Sequence, residues 1–236
     1  ITTIKMRQKK IVVFIPSIEN GGVEKNLFII SNYLYKKFNN LTIITASKKA
    51  KKKFNRKIEF FSPSSEIWNN FDRNLKYFIS VLFLIKKILH NRNIIVLSFQ
   101  ANIYAIVICK IFFVKIITRS NSFPDNWSNN FLKKFIFKNI LSLADKNIVN
   151  SIEVKNKFKS KYKINPECIY NPLNKKQIIK LSKHKIKNIY FKNNSLKIIH
   201  VGRLSEEKDH YTLLKSLFIL KKKINFEAVL LGSGKL

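Results

Sequence analysis

The sequence predicts an α/β fold built on a parallel sheet, and three observations carry the prediction. Short apolar runs of strand length recur along the chain. Segments with apolar residues at helical spacing separate them, and polar loops bearing Gly, Gln, Arg or Asn close several strands at their C-terminal ends. Such alternation buries a parallel sheet between helical layers, because each strand returns to the sheet through a helix. With 236 residues, 46% of them hydrophobic, the chain has ample material for a core.

Residues 10–16 form a nearly continuous apolar run that ends in the polar loop 17–22. Val23, Leu27, Ile30 and Leu34 then recur at helical spacing, so the opening reads as strand, glycine turn and helix. Strands follow at 41–46, 58–61, 94–98, 115–119 and 146–150, with helices expected at 75–89, near 101–112 and near 130–143. Ser151 opens another helix through Tyr162, and 168–170 form a short strand ending at Asn171-Pro172. Residues 175–194 are rich in Lys and Asn and suit a linker or a surface hairpin. A fresh strand begins at Leu196. Tyr211, Leu213, Leu214, Leu217, Phe218 and Leu220 mark the next helix, and a second strand runs into Gly232-Ser233-Gly234.

The expected organisation is therefore a first domain over 1–172, a linker over 173–195 and the beginning of a second domain over 196–236. One strand-helix-strand unit cannot bury its own apolar faces. The first residue is also Ile1 rather than Met, so the chain reads as a fragment of a longer protein, inactive by itself.

Forty-six Lys and Arg stand against 13 Asp and Glu, a formal charge of +33 that attracts anionic lipid, nucleic acid or phosphorylated substrates without choosing among them. Joint enrichment in Lys, Asn, Ile and Phe is also what a genome biased towards A and T codons produces. No apolar stretch approaches the roughly 20 residues of a spanning helix, and no signal peptide opens the chain. A cytoplasmic location is expected, peripheral to the inner face of the plasma membrane if the basic run 48–53 touches anionic head groups, with Phe54 as a shallow apolar anchor. Cys109 and Cys168 lie in apolar surroundings without metal-ligand spacing and read as buried free thiols.

Ligands of parallel sheets collect beyond the strand C-termini. There the chain places Gly21-Gly22, Phe99-Gln100, Arg119-Ser120-Asn121 and Asn150-Ser151. The most informative segment runs from His200 to Asp209, where Gly202, Arg203 and Lys208 share one loop between an apolar strand and a helix. Unpaired N–H groups at a helix N-terminus favour negative charge, Arg203 adds a planar fork and Lys208 a point charge. A diphosphate fits that loop. His200 and His210 flank it and read as satisfied polar residues rather than as a general base.

Ile15-Pro16 followed by Gly21-Gly22-Val23-Glu24-Lys25-Asn26-Leu27, then Arg119-Ser120-Asn121, Ala144-Asp145-Lys146, Asn150-Ser151, Ile169-Tyr170-Asn171-Pro172 and the segment 200–209 occur in a recognisable order. Together they resemble glycosyltransferase family 4, of the GT-B fold. The resemblance implies two Rossmann-like domains facing a cleft, with a nucleotide-diphosphate sugar held by the second and a polysaccharide or lipid-linked acceptor by the first. It implies hexosyl or N-acetylhexosaminyl transfer with retention of configuration. By the same resemblance Gly202, Arg203 and Lys208 meet the donor diphosphate and stabilise the leaving group with fixed cations. No cofactor and no metal is expected, in keeping with the lack of an Asp-x-Asp motif.

Gly21 and Gly22 resemble the family's phosphate-proximal turn, or form a plain helix entry. Glu24 either partners the positive end of its helix or faces the cleft. Arg119 and Asn121 either hold acceptor phosphate or sugar hydroxyls, or form a surface Arg capped by Ser120 and Asn121. The chain also departs from the family. Gln100 and Asn102 stand where many relatives carry a cleft histidine, Ser233 and Lys235 replace a common acidic residue and Pro, and the family's paired glutamates would lie past Leu236. No catalytic residue is assigned. An alternative reading is a basic module for anionic membrane or nucleic acid, although no nucleic-acid signature is present and no specific nucleic acid is expected. A nicotinamide-dependent Rossmann enzyme is disfavoured because Gly21-Gly22 lacks the Gly-x-Gly-x-x-Gly spacing.

Overall fold

A computed structural model of the chain describes residues 10–18, 21–65, 68, 71–122, 130–184 and 195–234. Two compact units divide it, Ile1–Asn174 and Lys175–Leu236.

The first unit is a seven-stranded sheet with every pair parallel. In chain order its elements are β1 (Lys10–Phe14), α1 (Gly22–Phe38), β2 (Leu41–Ile44), β3 (Glu59–Phe61), α2 (Arg73–His90), β4 (Ile94–Ser98), α3 (Asn102–Ile111), β5 (Lys115–Ser120), α4 (Phe131–Ser142), β6 (Lys146–Val149), α5 (Ile152–Lys157) and β7 (Glu167–Cys168). The strand order is β3-β2-β1-β4-β5-β6-β7. The order reverses between β1 and β4, which pair from Lys10↔Ile94 to Phe14↔Ser98, so the loops after these two strands diverge and open a crevice.

Alternation along β1 builds both layers. Val12 and Phe14 pack with Leu84, Ile88, Ile106, Ile116 and Leu141, while Val13 and Ile15 pack with Leu27, Ile43 and Phe99 on the opposite face. Helix starts are fixed by short polar side chains that accept from unpaired N–H groups: Asp72 from Leu75 (3.0 Å), Asn130 from Leu132 (2.9 Å) and Ser151 from Val154 (3.2 Å).

Three expectations need correction here. The basic run is a 3-10 turn, Lys48–Lys53, whose Ala50 points inward. Phe54 is buried against Phe28 and Phe60, so it is a core residue and not an exposed anchor. Cys168 is only partly buried; Cys109 is fully so, and burial pushes its thiol pKa up to about 12, leaving it unreactive at neutral pH.

The second unit contains α6 (Lys175–Ser182), β8 (Leu196–Val201), α7 (His210–Lys221) and β9 (Phe226–Leu231). Residues 175–182, expected to belong to a linker or a surface hairpin, form a helix that exposes all its side chains; 185–194 of the expected linker lie outside the described residues. β8 and β9 pair in parallel from Leu196↔Phe226 to Val201↔Leu231. Among the described residues of this unit, His210 alone is buried. No helix among the described residues is long and apolar enough to cross a membrane.

Candidate functional site

Beyond the C-terminal ends of β4 and β5 the first unit holds a cavity of about 730 Å³, within the size range of small-molecule sites. Arg73, Arg119, Ser120 and Asn121 supply polar walls, and Tyr77, Phe99, Tyr104 and Phe137 supply aromatic ones. Of the expected site residues, Arg119 and Asn121 line this cavity. Gly21, Gly22 and Glu24 do not, although their neighbour Val23 does.

Arg119 is the unusual group. It is the penultimate residue of β5 at 2% exposure, which rules out the surface-Arg reading. Nη2 donates to the Ile169 carbonyl (3.0 Å) and to Asn171 Oδ1 (2.9 Å), but buried Nε has no partner. No carboxylate pairs with it among the described residues. Burial pulls its pKa below the ordinary value, with nearby Cys168 opposing the shift; a guanidinium starts so high that it stays charged at neutral pH.

Neighbouring polar groups hold the cavity open. Asn102 bridges two strand ends, with Oδ1 2.7 Å from the Ser98 hydroxyl and Nδ2 donating to the Arg119 carbonyl (3.2 Å). Gln100 Oε1 accepts from the Ser17 N–H (3.1 Å), tying the β1 loop to β4. Gln100 and Asn102 thus both position backbone. Between them Ala101 adopts a left-handed conformation (φ 53°, ψ 36°) at the start of α3. A non-glycine residue is disfavoured there, and such strain concentrates at functional sites.

At α1, Glu24 is buried and its carboxylate folds back over the helix entry: a Cβ placed on Gly21 would stand 2.7 Å from Glu24 Oε2. Gly21 therefore leaves room for that carboxylate, which meets the positive helix end. Gly22 faces open space. Any phosphate approaching this turn would face the carboxylate of Glu24.

In the second unit, Gly202, Arg203 and Lys208 lie on the turn between β8 and α7. Two backbones run side by side here. Gly202 N–H donates to the Leu231 carbonyl (3.0 Å) and Leu204 N–H to the Ser233 carbonyl (3.1 Å). A Cβ on Gly232 or Gly234 would come within 1.8 Å of a backbone oxygen across the ladder, so only glycine fits. The Lys208 stem packs 3.6 Å from the Cβ position of Gly202. A hydrogen bond from the Ser205 hydroxyl (2.7 Å), with Arg203 and Lys208 close by, holds the Glu207 carboxyl below its usual pKa. Asp209 caps α7 through Thr212 N–H (3.1 Å), so one helix-end donor is already satisfied. The neighbouring histidines meet edge to face at 5.0 Å, and buried His200 Nε2 and both His210 nitrogens lack hydrogen-bond partners, contrary to the expectation of satisfied polar groups.

Sequence reasoning missed the partnership of Arg119 with Asn171. The two lie far apart in the chain, and the only signal was that both sit in loops at strand C-termini.

No protein-family model and no curated protein sequence matches the chain. Solved structures do. Anabaena Alr3699/HepE in complex with UDP and glucose is similar with a TM-score of 0.64 at 15% identity, over 97% of this chain and 62% of that one. A glycosyltransferase from Rickettsia africae is similar with a TM-score of 0.61 at 20% identity, over 95% and 61%. A UGT transferase from Siraitia grosvenorii in complex with UDP gives 0.52 at 11%, over 94% and 65%. The chain spans about three fifths of the length of the first two. The likeness defines the fold: α/β, with a Rossmann-like parallel sheet of the GT-B type followed by a strand-helix-strand of a second such domain.

Proposed function

We propose that the protein is a retaining glycosyltransferase that moves a sugar from a nucleotide-diphosphate donor to a cell-envelope polysaccharide or lipid-linked acceptor. The observation that carries this reading is the placement of Arg203 and Lys208 on one turn whose backbone runs against a strand end with no room for a side chain at Gly232 or Gly234. Three similar folds, two of them captured with UDP, support it.

As the glycosidic bond breaks, negative charge grows on the departing diphosphate. Arg203 meets it with a planar fork and Lys208 with a point charge. The first unit supplies the acceptor site through Arg119 and Asn121. Outward-facing Lys49, Lys51 and Lys52 give it a basic surface suited to an anionic bilayer.

Calorimetric titration of the intact protein with uridine diphosphate tests the donor assignment. Replacing Arg203 and Lys208 together with Ala should weaken binding by about a hundredfold, since each charge-assisted contact contributes roughly 1.5–3 kcal/mol. Equal affinity in wild type and double variant would refute it.

A further inference from the structure

We infer that His200 and His210 form a proton-accepting pair beside the turn that carries Arg203 and Lys208, so that a diphosphate docking on the turn draws one proton onto the pair. The inference rests on the donor reading for its anion and couples that site to pH.

The pair has a fixed place but no hydrogen-bond partners. His210 opens α7 and is buried, and its ring meets that of His200 edge to face at 5.0 Å. His200 Nε2 lies 3.1 Å from the Cβ position of Gly202, and the Lys208 stem comes within 3.6 Å of that same point. One imidazole thus adjoins both the backbone of the turn and one of its cations. Yet His200 Nε2 and both His210 nitrogens are buried with no partner among the described residues. Two apolar rings would fill the same place without that desolvation cost. What imidazoles add is a place for a proton, since theirs is the side chain that ordinarily changes charge between pH 5 and 8.

Surrounding charges make the pair responsive to an anion. The turn carries Arg203, Glu206, Glu207 and Lys208, with Glu207 bonded to the Ser205 hydroxyl (2.7 Å). Asp209 caps α7 beside His210, and its carboxyl is held below the usual range by Thr212 first and by His210 to a lesser degree. Further charges are engaged elsewhere. Lys215 on α7 sits over the Tyr211 ring (4.4 Å), while Glu227, the one charged residue of β9, stands opposite Lys197; His200 itself stands opposite Leu230. Two cations and three carboxylates therefore nearly cancel around the pair. A docked diphosphate tips that balance by two negative charges, and a proton from solvent then settles on an unpartnered imidazole nitrogen. One proton is the limit, because two imidazolium rings 5.0 Å apart repel each other. Proton and anion then strengthen each other's binding by the same factor.

Calorimetric titration of the intact protein with uridine diphosphate glucose tests this, because both its phosphates are esterified on each side and keep a fixed charge near neutrality. Any proton exchanged belongs to the protein. In buffers of differing ionisation heat at pH 7, binding should take up about half a proton, and affinity should rise about tenfold from pH 8 to pH 6. Replacing both His200 and His210 with Phe keeps two rings but no proton site, so uptake should vanish and the pH slope should flatten. If that variant does not fold, the double replacement with Asn takes its place. A packing role alone predicts no uptake by the wild type, and that result, or uptake that persists in the double variant, would overturn the inference. Nucleotide-sugar binding without proton uptake defeats this inference and leaves the donor assignment standing. Should the nucleotide-sugar not bind, inorganic diphosphate decides: a steeper pH slope in wild type than in the double variant defeats the donor assignment alone, and no binding defeats both.

Discussion

Val13 and Ile199 occupy the same place in their units, the fourth residue of the first strand, yet Val13 is fully buried and Ile199 is 57% exposed. β1 has a strand on each side and packed side chains on both faces; β8 pairs with β9 alone. Two ways of fixing loops follow. In the first unit a packed core supports a cavity lined by a buried guanidinium that no carboxylate among the described residues pairs. In the second, a ladder of backbone hydrogen bonds with no room for side chains fixes the turn that carries Arg203 and Lys208.

Core substitutions probe that contrast most strongly. Phe54→Ala should cost about 3–5 kcal/mol, the usual result of emptying a buried aromatic site, whereas Phe218→Ala on the exposed face of α7 should stay within about 0.5 kcal/mol. Urea unfolding of the two variants measures both. A large loss at Phe218 would mean that the outer face of α7 is covered in solution and the contrast is false.

A smaller effect comes from acid. Burial alone would raise the Asp145 pKa, but bonds from Lys110 (2.8 Å) and the Ile116 N–H (2.8 Å) overcome it and hold the carboxyl below its usual range. A carboxylate whose pKa is depressed by folding stabilises the fold above its unfolded pKa and loses that contribution as pH falls through the folded value. Asp145→Asn should therefore destabilise the first unit at neutral pH by about 1 kcal/mol, after allowing for solvent screening of a partly exposed pair. The gap to wild type should close as pH falls below the usual carboxylate range. Thermal unfolding at both pH values reads the difference, and a gap that persists in acid would place the effect in packing rather than charge.

Much of the fold was legible because strands buried on both faces announce themselves as short apolar runs. β1, β2, β3, β4 and β6 all lie within their expected spans, and β5 runs one residue past its own. Features that depend on distant partners were not. Nothing local marks Arg119 as buried, because its carbonyl partner at Ile169 and its amide partner at Asn171 lie on the far side of α4, β6 and α5. Likewise Ala101 carries no sign of its left-handed backbone, which glycine or asparagine would have advertised. Residues 48–54 read as a surface for anionic head groups because charge masked the inward-facing Ala50 and Phe54. The cationic turn was legible because its glycines and charges are local: Gly202, Arg203 and Lys208 lie within seven residues of chain.

Amide hydrogen exchange of the intact protein with and without uridine diphosphate tests the donor assignment most directly, since it reports where the anion lands. The account predicts slower exchange over 200–210 and 231–234, with the cavity loops of the first unit unchanged. Protection confined to residues 10–174, or no protection at the turn bearing Arg203 and Lys208, would contradict it.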